Sequence, residues 1–115
     1  MKRLLQLLLL LVVCTTASAQ TETAKKLYAQ ANADKSKIGQ FLKQDFSAVD
    51  STSMHDLAVM FYRDEDYRSA GACWEVALGK VKKHGKAYEQ ILNALSSAYM
   101  ELNDQSKIEW LMEVM

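Results

Sequence analysis

The stretch that decides the fold is Met54-His-Asp-Leu57-Ala58-Val-Met-Phe61-Tyr-Arg-Asp64-Glu-Asp66-Tyr67-Arg-Ser-Ala70-Gly-Ala-Cys73-Trp74-Glu-Val-Ala77-Leu78. Its apolar residues recur at helical spacing: Leu57, Met60 and Phe61 before the acidic triplet, then Ala70, Trp74, Ala77 and Leu78 after it. Asp64-Glu65-Asp66 interrupts that pattern, and acids suit both a tight turn and the positive end of the helix that follows. The spacing therefore predicts two helices folded back on one another. Small residues at Ala58, Ala70 and Ala77 let the backbones approach, while Leu57, Phe61 and Trp74 fill the space between them.

The pattern repeats. Leu92-x-x-Leu95-Ser96-x-x-Tyr99 begins 38 residues beyond Met54 and leads into Ile108-x-x-x-Met112-x-x-Met115. A third trace, Ala24-x-x-x-Tyr28-x-x-Ala31, has the spacing of a single second helix. These elements resemble the tetratricopeptide family: a large residue, then a Leu-small pair, an aromatic, a short acidic turn, and Ala-x-x-x-Phe in the second helix. The family period is about 34 residues, so this connection is about four residues longer. That excess is expected as one added turn on a helix running from Tyr67 to His84, stopped by Gly85. The resemblance implies an all-α fold of antiparallel helical hairpins stacked as a short solenoid. Residues 51–115 supply two hairpins, and residues 20–50 an N-terminal helical segment equivalent to half a repeat. Further helices are expected over Thr23–Ala33, Ile38–Phe46, Lys86–Glu101 and Gln105–Val114, with Ser53-x-x-Asp56 as a capping box.

Residues 1–19 read as an address. Lys2 and Arg3 precede an apolar run from Leu4 to Val13, and Ala17-Ser18-Ala19 forms an A-x-A cleavage site. The run is about half the length needed to span a membrane, and bulky Val13 before Cys14 fits a lipidation signal poorly. Cleavage is expected between Ala19 and Gln20, sending the chain across the inner membrane of a bacterial envelope to the periplasm. No integral membrane segment would then remain. Loss of the leader leaves Cys73 as the sole cysteine, so no internal disulfide can form and packing must hold the fold.

The 115 residues carry 14 basic and 14 acidic side chains, which gives no electrostatic footprint for nucleic acid. The chain contains no proline and only 4 glycines, which disfavours β-rich and linker classes. The inventory for chemistry is short. His55 reads as an exposed helical residue and His84 as a helix end beside Lys82 and Lys83. Cys73 has no histidine one turn away to activate it. The acidic triplet lacks the alternation of a calcium loop, and the phosphate-loop and metalloprotease patterns do not occur. The expectation is a non-catalytic module with no cofactor and no metal, whose partner is a protein or peptide. The tetratricopeptide resemblance assigns the groove lining to His55, Val59, Tyr62 and Arg63 from the first hairpin and to Asn93, Ser97 and Met100 from the second. An alternative is a self-assembling component, or a piece of a longer solenoid, associating through a C-terminal edge of Trp110, Leu111, Val114 and Met115.

Overall fold

The structure, a computed structural model, describes residues 20–114; the expected leader with its expected cleavage bond, and Met115, lie outside the described residues. The described chain is all-α. Helix α1 spans Glu22–Ala33, and a 3-10 turn at Lys35–Lys37 leads into the short α2, Ile38–Leu42. Helices α3 (Ser51–Arg63), α4 (Tyr67–Leu78), α5 (Lys86–Leu102) and α6 (Gln105–Val114) complete it.

Helix α4 is the centre, packing on α3 along one side and on α5 along the other. Its buried face is narrow: Ala70, Gly71, Cys73 and Ala77 let the neighbours come close, and Trp74 and Leu78 fill the ends. Against it lie Met54, Leu57, Ala58 and Phe61 of α3 and Ile91, Leu92, Leu95 and Tyr99 of α5. Helix α1 covers the other side of α3 through Ala24 and Ala31, while Tyr28 meets Phe61 edge-on at 5.8 Å. Phe41 and Phe46 extend that aromatic layer, with Phe41 at 6.3 Å from Phe61 and 5.8 Å from Phe46.

Side-chain caps set most helix starts. Thr21, Asp50 and Asp66 accept N–H groups of the first turns of α1, α3 and α4. The acidic triplet is the α3–α4 turn, with Glu65 at φ 63° and Asp64 accepting the Tyr28 hydroxyl. Asn103 ends α5 in the left-handed conformation and needs no glycine to do so.

Four local expectations are corrected. The helix expected to reach His84 ends at Leu78 with Gly79, a poor helix former, as its cap, and Lys80 just beyond donates from Nζ to the Phe46 carbonyl at 2.8 Å. The extra residues of the connection therefore form a loop over residues 79–85, not an added helical turn. The second helix ends at Leu42, and Phe46 is buried from a loop instead. The capping box at Ser53 and Asp56 does not form, since Asp50 caps α3 and both side chains turn to Thr21. Finally, the C-terminal edge folds inward: Leu111 is buried and Trp110 and Val114 are half-buried against the core.

Candidate functional site

The loop at residues 79–85 builds one wall of a cleft. Helix α4 stops at Leu78 with Gly79 as its cap, and the chain turns until His84, which adopts φ 64°. Gly85 then starts α5 so close to the Lys82 carbonyl that a Cβ would sit 3.1 Å from that oxygen. This reversal lays the His84 ring against Tyr88 at 5.6 Å, one turn inside α5. The opposite wall is α6, with Trp110, Glu113 and Val114, and Glu75 and Leu78 close the α4 side. Together they line an open, shallow cleft of about 540 Å³.

Its electrostatics follow from an interhelical network behind the wall. Glu75 accepts the Tyr99 hydroxyl and pairs with Lys107 Nζ at 3.2 Å, tying α4, α5 and α6 together. The same ammonium lies 5.8 Å from the Trp110 ring centroid and 6.0 Å from that of Tyr99, within cation–π range. Burial, reinforced by Glu75, pushes the Tyr99 phenol well above its usual range, so it stays a hydrogen-bond donor. The charge of Glu75 is thus answered from outside the cleft. Lys83 and Glu113 remain as exposed charges of opposite sign among the lining residues, beside three aromatic rings. Such a cleft can hold an apolar or aromatic group and a dipolar backbone together.

The residues assigned to a groove do not form a single open lining. Val59 and Tyr62 are 7% and 8% exposed and belong to the core. Tyr62 packs edge-on to Tyr67 at 5.0 Å and lies 5.7 Å from Trp74. His55 is half-buried, and its Nδ1 accepts the Trp74 indole N–H at 2.9 Å. Burial holds its pKa below the ordinary histidine value, against the nearby charge of Asp56. Arg63, Asn93, Ser97 and Met100 are exposed.

Cys73 is 1% exposed, and burial pushes its thiol up to about 12, which makes it a packing residue. Among the described residues no cluster of three or more His, Cys, Asp or Glu side chains is placed to hold a metal ion. None of the described helices is long and apolar enough to cross a membrane.

Reading the sequence left the cleft unseen, since His84 looked like a helix end and Trp110 and Val114 like an open edge. The signal that bore on it was the connection about four residues longer than the tetratricopeptide resemblance implies, and the structure places residues 79–85 of that connection in a loop. Compared with known proteins, the chain matches no family model, no curated protein and no solved structure.

Proposed function

We propose that this chain is a non-catalytic protein- or peptide-binding module of the bacterial cell envelope, with tetratricopeptide-like helical hairpins as its scaffold. The cleft between the 79–85 loop and α6 carries the reading: about 540 Å³ lined by Trp110, Tyr88 and His84, with Lys83 and Glu113 beside them. Aromatic walls supply contact area at low entropy cost, and the two exposed charges orient a backbone. Glu75, Tyr99 and Lys107 link the three helices that bear the cleft.

The test is selection of displayed peptides on residues 20–115, followed by calorimetry of the best binder. Trp110→Ala removes one wall. His84→Gly removes the ring and also relieves a left-handed residue, a conformation that costs about 1–2 kcal/mol without glycine. Both variants are expected to weaken binding at least tenfold, with His84→Gly no less stable than the parent. Binding untouched by either change, but lost on altering Asn93 and Ser97, would return the function to the groove.

A second reading, self-assembly, is favoured by one observation: Met100 and Met112 are 69% and 70% exposed, on the last two helices. Light scattering of residues 20–115 separates the two, since self-assembly requires a discrete oligomer that Met112→Lys dissociates.

A further inference from the structure

Asp56 is 7% exposed, on the second turn of α3, and its carboxylate faces the point where the described chain begins. Its Oδ2 accepts the backbone N–H of Thr21 at 3.0 Å. The Thr21 hydroxyl donates to buried Ser53 Oγ at 2.9 Å and accepts the Ala24 N–H at 3.1 Å. Two α3 side chains therefore grip the residue that caps α1, and half-buried Gln20 lies beside them. Among the described residues, no basic nitrogen lies within 4.0 Å of the Asp56 carboxylate.

The nitrogen of Gln20 is three covalent bonds from that of Thr21, so the two lie at most about 3.7 Å apart. Covalent reach therefore bounds the Gln20 nitrogen at roughly 6–7 Å from Asp56 Oδ2, just beyond the ~4–6 Å over which opposite charges stabilise one another, so a small rotation at residue 20 has to bring the pair into range. We propose that Asp56 is the receptor for the α-ammonium of Gln20 that leader removal creates, so that processing itself completes the packing of α1 on α3. In the uncleaved chain this nitrogen is a neutral amide and Asp56 holds only the Thr21 N–H. After hydrolysis of the Ala19–Gln20 bond, the amine takes up a proton and brings a positive charge to the carboxylate.

Other charged groups nearby do not substitute for it. His55, the neighbour of Asp56 on α3, is engaged through Nδ1 with Trp74. Glu22 and Lys25 at the head of α1 pair with each other at 3.5 Å, and Asp50 is occupied capping α3.

The inference rests on cleavage between Ala19 and Gln20, and mass analysis of the secreted chain tests that step separately. A secreted chain that begins elsewhere, or one that begins at Gln20 but has lost ammonia to a neutral pyroglutamyl ring, overturns the proposal outright. The Asp56 contact is tested on residues 20–115 released from a cleavable fusion, with a free or an acetylated N-terminus. Both arms carry Gln20→Ala, so that cyclisation of an N-terminal glutamine cannot consume the amine. The free form is expected to melt higher by about 4–8 °C near neutral pH. A raised amine pKa contributes stability that is present below its unfolded value and lost as pH rises through its folded value. The difference should therefore close at alkaline pH, and it should vanish in Asp56→Asn. Equal melting of the two forms, or a difference that survives in Asp56→Asn, overturns the proposal. Should Asp56→Asn fail to fold, the pH series decides: a difference unchanged into alkali overturns it.

Discussion

Tyr99 lies across Gly71, so close that a Cβ built on the glycine would stand 3.0 Å from the tyrosine Cε1. The ring cannot readily move aside, being buried and tied through its hydroxyl to Glu75 on the same helix as Gly71. Close packing of α5 on α4 thus depends on the absence of one methyl group. Gly71→Ala gains about 1 kcal/mol of helix propensity and meets an overpacking cost of about 1–3 kcal/mol. We expect net destabilisation of about 1 kcal/mol by urea denaturation. Gly39 in α2 provides the control, since a Cβ added there would have nothing within 4 Å. At that position the same change should stabilise by about 0.4–1 kcal/mol.

Ala70 and Ala77 sit at 0% exposure on the face of α4 that its neighbours cover. Replacing either with Leu should cost about 1–3 kcal/mol. A urea midpoint unchanged from the parent in both variants would contradict the packing of α4 as the central helix.

The His55–Trp74 hydrogen bond uses Nδ1 as acceptor, and only an imidazole unprotonated at that atom can accept. The folded pKa is depressed by burial, so the unfolded state binds the proton more readily. Stability should therefore fall as pH drops below the unfolded histidine value of about 6.5 and level off once the folded pKa is passed. A separate loss belongs at more acid pH. The Ser53 hydroxyl and backbone N–H hold the Asp50 carboxyl below its usual range, and that stability goes as pH falls through its folded pKa. His55→Ala should flatten the first step while leaving the second. It should also cost about 1–3 kcal/mol at neutral pH by stranding the Trp74 N–H.

Cys73 should resist alkylation in the native state, because its thiol is buried and raised to about 12. Labelling by iodoacetamide at neutral pH should be slow in buffer and rise in step with the unfolded fraction across a urea titration. Rapid native labelling would mean that α4 opens locally at its centre.

Much of the helical layout was legible because it rests on short-range physics. The stripe Leu57, Met60, Phe61, the acidic turn at Asp64–Asp66 and the small residues Ala58, Ala70 and Ala77 are local patterns, and the helices form where they fall. Element ends were less legible. Lys82-Lys83-His84-Gly85 has the composition of a helix C-terminus, yet α4 stops earlier, at the Gly79 cap, and Lys80 reaches a carbonyl 34 positions back in the chain. Ser53 and Asp56 have the spacing of a cap, yet their partner is Thr21, some thirty residues away and on another helix. Val59 and Tyr62 had the register of a groove but are covered, since Tyr67 and Trp74 pack over Tyr62.

The sequence by itself determined the fold class, the hairpin around the acidic turn and the narrow face of α4, because helical periodicity and side-chain volume are written along the chain. Only the tertiary structure decided the cleft, the Tyr99–Glu75–Lys107 network and the grip of Ser53 and Asp56 on Thr21. Each joins residues from different helices, and no local pattern encodes which polar groups meet when those helices pack. Burial then fixes chemistry as well: the Tyr99 phenol is pushed up because the folded core removes water from around it.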